Sequence, residues 1–194
     1  MSATTPTWQW GIPAARWGAV GAVWLLAGLG CTAPRPAPPV PIQAAGPDEA
    51  VYVAGLVNHY RSSRTLRPVE YHPALAAVAQ SHAEAMAAGR VPYSHAGLEE
   101  RMALVGLRVR VQAMGENLAA IPRGTVSPLH RAVERWIASD AHRHTMEGCF
   151  DLTGVGMARS PRGVVYLSQI FVLRAPGQPT EARRGSDLEM ARCR

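Results

Sequence analysis

The sequence predicts an α+β domain, with helices packed on a small antiparallel sheet. Apolar residues recur at helical spacing through the first half of the chain, and two strand-like runs joined by a tight-turn signal close the second half. Size agrees: 194 residues suit one ordinary domain with extensions, and roughly 120–150 residues are enough to bury a core.

The first helix is expected from about Asp48 to Ser63, where Val51, Ala54, Leu56/Val57 and Tyr60 share a face and Pro47 or Asp48 marks the start. The second begins at Pro73, a residue suited to a first helical position. It carries Leu75, Val78, Ala79, His82 and Met86 inward and stops near Gly89. A short helix follows over 97–105, ending at Gly106. A strand is expected from Val109 to Ile121, interrupted at Gly115. Ser127-Pro128 reads as an N-cap and first-turn pair, opening a helix with Leu129, Val133, Trp136 and Ile137 on its apolar face. That helix breaks near Ser139-Asp140, and a further turn or short helix carries His142 to Glu147. Leu152 to Arg159 and Val164 to Leu173 are the closing strands, joined through Ser160-Pro161-Arg162-Gly163.

The ends of the chain read differently. Arg16 precedes an apolar run of 14 residues, Trp17 to Gly30, which is shorter than the roughly 20 residues of a comfortable membrane span. A positive residue, a short apolar run and a small terminal residue describe an export signal. Its end, Gly30-Cys31, resembles a bacterial lipoprotein signal, in which the cysteine is lipidated after cleavage. Gly28 and Leu29 depart from the usual pattern, and plain cleavage or an uncleaved anchor are the alternatives. The proline-rich segment 31–47 is expected to be an extended linker, 48–173 the domain and 174–194 a polar tail. With Cys31 assigned to lipid, Cys149 and Cys193 remain as a plausible disulfide of an exported protein, contributing about 3–4 kcal/mol in the chain-entropy picture. The alternative is a buried thiol and a cysteine in a frayed end.

The formal charge is +6, and all 20 basic residues are arginine. They are scattered and do not alternate with aromatics, which argues against a nucleic-acid footprint.

Three residues stand out for chemistry. His95 follows Pro92-Tyr93-Ser94 in a loop, Glu116 lies beside Gly115 in a strand, and His142 follows a helix break. Two imidazoles and a carboxylate from separate elements suit a divalent metal such as zinc with one open position, or a proton-transfer pair. Their spacing is no local zinc motif, so spacing alone does not bring them together. His82 reads as a hydrogen-bonded core residue. His59, His72 and His130 read as surface or cap residues, and His144 is expected to face away from His142.

Taken in order, Tyr93-Ser94-His95, Gly115-Glu116-Asn117-Leu118, Trp136 to Arg143, Gly154-Val155-Gly156 and Gln169-Ile170-Phe171 resemble the CAP superfamily. This groups cysteine-rich secretory proteins, antigen 5 and plant pathogenesis-related proteins, with the short bacterial members most similar. The resemblance covers about Val51 to Leu173 and implies an α-β-α sandwich. It implies that His95 and Glu116 line one cleft. Eukaryotic members often add a second glutamate and a second histidine, where this chain has Ser139 and Tyr166. His142 sits in an S-x-x-H-R pattern, Ser139 to Arg143, that resembles bacterial members and implies a place near the same cleft. Asp140 is either a further carboxylate or a cap. Asn58 and Arg61 match a family pattern whose implied task is to tie the first helix to neighbouring loops.

The function expected is binding. An exported protein, anchored by lipid at Cys31 in the bacterial envelope, would hold an apolar lipid-like molecule, a cell-wall fragment or an envelope protein at His95, Glu116 and His142. The rivals are a divalent-metal-dependent hydrolase of peptide or cell-wall material using those three residues, and a structural envelope protein. The sequence leaves the oligomeric state open.

Overall fold

The structure, a computed structural model, describes residues 41–44 and 46–176. The apolar run Trp17 to Gly30, Cys31 and Cys193 lie outside the described residues. The order is β1 (Gln43–Ala44), α1 (Pro47–Ser63), β2 (Glu70–Tyr71), α2 (Pro73–Ala87), α3 (Leu98–Gly106), β3 (Val111–Ile121), α4 (Pro128–Ala138), α5 (Asp140–Glu147), β4 (Leu152–Arg159) and β5 (Val165–Arg174). Among the described residues, no helix is long and apolar enough to cross a membrane.

The sheet runs β1-β4-β5-β3, and β2 also pairs with β4. The β1–β4, β4–β5 and β5–β3 ladders are antiparallel, whereas the two-residue β2 lies parallel to β4. Strand side chains alternate between faces, which sorts the core into layers. Ala119, Ile121, Val155, Met157, Leu167 and Phe171 pack with residues of α1 and α4 around the fully buried Trp136. Ile170, Val172 and Leu152 face the other way, onto Leu75 and Ala79 of α2 and Val105 of α3. The result is the expected sandwich of helices, sheet and helices.

Gly154 and Gly156 are the reason α2 sits so close. A Cβ at Gly154 would lie 2.2 Å from the Ala76 amide nitrogen, and one at Gly156 only 2.0 Å from that of Gln80. Two glycines on one strand face admit the helix backbone directly. The Gln80 side chain uses that closeness: its Nε2 donates to the Met157 carbonyl (3.0 Å) and its Oε1 accepts from the Met157 amide (2.9 Å).

Helix ends follow local chemistry. Gly89 has φ +68°. Its amide donates to the Met86 carbonyl and the Arg90 amide to that of Ala85, the bond pattern of a Schellman stop at the expected glycine. On α1, Asn58 holds both the amide and the carbonyl of Val69, at 2.8 and 2.9 Å. The buried Arg61 guanidinium donates to the carbonyls of Arg67, Met146 and Gly148. Both residues do the tying task expected of them.

Three local expectations need correction, and one short strand was unforeseen. Gln43–Ala44 falls in the expected linker, yet it pairs with Arg159 and Ala158 as a sheet strand. The Glu70–Tyr71 strand was not anticipated, because two residues carry no periodicity. Gly115 does not interrupt its strand; the register shift lies between Val111 and Ala113. Ser127 sits at the N-cap position of α4 with φ +50°, but its side chain makes no capping hydrogen bond.

Candidate functional site

Among the described residues β3 is an edge strand of the sheet, and side chains from both helical layers reach its outer flank. Leu118 directs its carbonyl to that flank, where it accepts from the buried Trp136 indole (2.8 Å) and from the Tyr93 hydroxyl (3.1 Å). The Ala120 carbonyl accepts from Arg135 (3.1 Å). Side chains thus satisfy edge groups that would otherwise invite another strand.

Glu116 points into the α2–α3 layer, and its carboxylate is wholly buried. Oε1 accepts from Arg101 Nε (2.8 Å) and Ser168 Oγ (3.2 Å). Oε2 accepts from Arg101 Nη2 (2.8 Å) and His95 Nδ1 (2.9 Å). Four donors satisfy one carboxylate, and the fork from Arg101 balances its charge in a low-dielectric setting. Arg101 itself is braced, with Nη1 donating to the Ala96 carbonyl and Nη2 to that of His95.

This network sets the histidine tautomers. Glu116 is acceptor-only, so His95 carries its proton on Nδ1 and leaves Nε2 as a lone pair on a ring whose side chain is 51% exposed. His82 donates from Nε2 to the Ser94 carbonyl (3.2 Å), and its Nδ1 faces Arg101 Nη1 at 3.5 Å. Burial, then the Arg101 charge, lowers the His82 pKa. The expectation of a buried, hydrogen-bonded core residue holds for His82.

His142 comes from the opposite layer. Its carbonyl accepts from the buried Asn117 side chain (3.1 Å), which ties α5 to β3. Its Nδ1 is buried without a hydrogen-bond partner. Burial lowers its pKa, and its electrostatic interaction with His95 lowers it further. His142 is thus within electrostatic reach of His95, and it makes no hydrogen bond to Glu116. Gly115 explains how α5 comes near: a Cβ there would meet Thr145 Cγ2 at 2.8 Å and Phe150 Cζ at 3.1 Å. Asp140 pairs with Arg143 on the surface of α5, and His144 is exposed, as expected.

The donor set does not fit a divalent cation. Both Glu116 oxygens are committed to hydrogen-bond donors, one of them a guanidinium whose charge opposes a metal. Among the described residues, no three His, Cys, Asp or Glu side chains are grouped to hold an ion. Two imidazoles remain, fewer than the three protein ligands of an open catalytic zinc site.

Arg101 is the site residue that sequence reasoning missed. It lies four residues before the buried Val105, on the inward stripe of α3. A charge on an apolar stripe requires a buried counter-ion, and that was the available signal. Cys149 is disulfide-bonded, while its expected partner Cys193 lies outside the described residues.

Comparisons with known proteins agree with this architecture. The family model described as "CAP: Cysteine-rich secretory protein family" matches residues 54–172. An outer surface protein of Borrelia burgdorferi is 17% identical at TM-score 0.57, over 69% of this chain and 98% of that one. An extracellular protein of Bacillus anthracis containing an SCP domain is 25% identical at TM-score 0.55, over 67% of this chain and 44% of that one. A cysteine-rich secretory protein of Staphylococcus aureus is 20% identical at TM-score 0.51, over 65% of this chain and 39% of that one. No curated protein matches.

Proposed function

Because the chain belongs to the CAP family of cysteine-rich secretory proteins, we propose that it is an extracytoplasmic binding protein that engages an envelope ligand at His95. One observation carries this reading. Glu116 holds His95 by Nδ1 and leaves Nε2 without a partner on a half-exposed ring, while Arg101 and Ser168 occupy the rest of the carboxylate. The acid is thereby a positioning group, unavailable for proton transfer to a substrate or for holding a metal. What the site offers outward is one oriented imidazole next to the half-exposed Tyr93 ring, which packs against Tyr166 with ring centroids 6.2 Å apart. A polar group on Nε2 and an apolar or ring surface on Tyr93 describe a cell-wall fragment or a lipid-like molecule. The outer-surface and extracellular relatives support an extracytoplasmic place. Cys31 provides the lipid anchor.

The test is co-sedimentation of the full chain with purified cell-wall sacculi and with phospholipid vesicles, compared with His95→Ala and Tyr93→Ala. Binding lost in both variants, with unchanged melting, is expected. Equal binding by wild type and both variants refutes the reading. Zinc titration of the same proteins checks the hydrolase rival: stoichiometric binding abolished by His95→Ala and by His142→Ala would reinstate it. For the anchor, Cys31→Ser should release the protein from membranes, and retention there would identify the apolar run as an uncleaved span.

A further inference from the structure

At the far end of β3 from Glu116, a hollow of about 330 Å³ is lined by His72, Arg108, Arg110 and Arg174. Arg110 and Glu116 are six residues apart along the chain, roughly 20 Å in an extended strand, so the hollow is separate from the His95 site. We infer that it binds a phosphate-class oxyanion.

Three features converge there. First, the guanidinium groups come from two segments locked together. The Ala175 amide donates to the Arg110 carbonyl (2.8 Å), and Val111 pairs with Arg174 across the ladder. Second, the positive charge is largely uncompensated. Arg174 has a partner in Asp151 (2.9 Å), with Glu70 adding a weaker attraction. The side chains of Arg108 and Arg110 make no hydrogen bond or ion pair among the described residues. Third, the 15-residue α2 begins at this hollow. Its N-cap residue, His72, makes no capping bond, and its first turn contains no acidic side chain. The amides of that turn are positive and unanswered by a side chain. His72 Nδ1 is in addition buried without a partner. Arginine forks, an imidazole and helix amides are the donors that bind phosphate oxygens.

The source of the phosphate is indicated by what lies next to the arginines. Leu104 and Leu107, spaced three apart at the end of α3, are 53% and 77% exposed. Exposed leucines flanking arginines suit a surface where anionic headgroups border apolar chains.

The experiment is titration of the full chain with inorganic phosphate, with glycerol phosphate, and with vesicles of phosphatidylglycerol or of phosphatidylcholine. Wild type is compared with Arg108→Gln/Arg110→Gln and with His72→Ala; all these positions are at least partly exposed. Saturable binding weakened about tenfold or more by the double substitution, and less by His72→Ala, is expected. Preference for glycerol phosphate and phosphatidylglycerol over inorganic phosphate assigns a lipid headgroup, and tight binding of inorganic phosphate alone assigns a free anion. No saturable binding by wild type, or equal binding by wild type and the double variant, overturns the proposal. His95→Ala should bind as wild type does, which separates failure here from failure of the His95 reading.

Discussion

Arg101 and Glu116 meet in a two-point fork, Nε to Oε1 and Nη2 to Oε2, both at 2.8 Å and both buried. The pair sits beneath His95 and joins α3 to β3. Removing one partner leaves the other charge buried and unmatched, which costs more than the pair contributes as a whole. Arg101→Leu should therefore destabilise the domain by about 3–5 kcal/mol. Urea unfolding measures this. A loss below about 1 kcal/mol would show that the fork is hydrated, like a surface ion pair.

Gly115 and Gly156 predict different kinds of failure. A methyl at Gly115 meets side-chain atoms of Thr145 and Phe150, whereas one at Gly156 meets the backbone of α2. Side chains yield and helix backbones do not. Gly115→Ala should cost about 1–3 kcal/mol, and Thr145→Ser, which removes the contacting methyl, should recover part of it. Gly156→Ala should abolish folding, with no side-chain substitution able to restore it. Thermal melting of the four proteins decides. Equal effects at the two glycines would contradict the close α2 packing.

The same contrast shows how far the sequence could be read. Long elements were legible, because α2 buries apolar residues at helical spacing and β5 is an apolar run that follows a tight-turn signal. The Gly154-Val155-Gly156 motif could be recognised, but not why it matters, since close approach is a property of the helix that lands on it. His95 and Glu116 were identifiable by residue type and motif, while Arg101 was hidden among surface arginines in a chain that uses no lysine. β1 and β2 were invisible because two-residue strands take their pairing entirely from β4.

Acid should weaken the fold from near neutrality. Burial lowers the pKa of His82 below its ordinary 6.5, with the Arg101 charge acting in the same direction and Glu116 opposing it. Burial, then His95, also lowers His142. Each is depressed in the folded state, so the unfolded chain binds more protons as pH falls. The contribution of these two histidines is thus fully present above pH 6.5 and is lost as pH falls through the folded values. The urea midpoint should fall between pH 7.5 and 5 (about this window). A His82→Gln/His142→Gln protein should show a flatter profile. A flat wild-type profile, or an unchanged slope in the double variant, would exclude both groups.

Asn58 offers the plainest test of how α1 is held to the sheet. Its amide behaves as one residue of a missing strand, giving Val69 both a donor and an acceptor at 2.9 and 2.8 Å. Val69 is buried and immediately precedes β2, so its main-chain groups have poor access to water. Asn58→Leu keeps the volume but leaves both groups unpaired, at about 1–3 kcal/mol each. Asn58→Asp keeps the acceptor for the Val69 amide but sets a carboxylate against the Val69 carbonyl, so it should rescue little. The loss should be local as well as global. Hydrogen exchange at the Glu70 and His72 amides, which donate to Asp151 and Thr153 across the β2–β4 pairing, should speed up more than exchange in β5. Uniform acceleration across the sheet would mean that Asn58 supports the whole domain, and no change at either amide would mean that β2 stays in place without it.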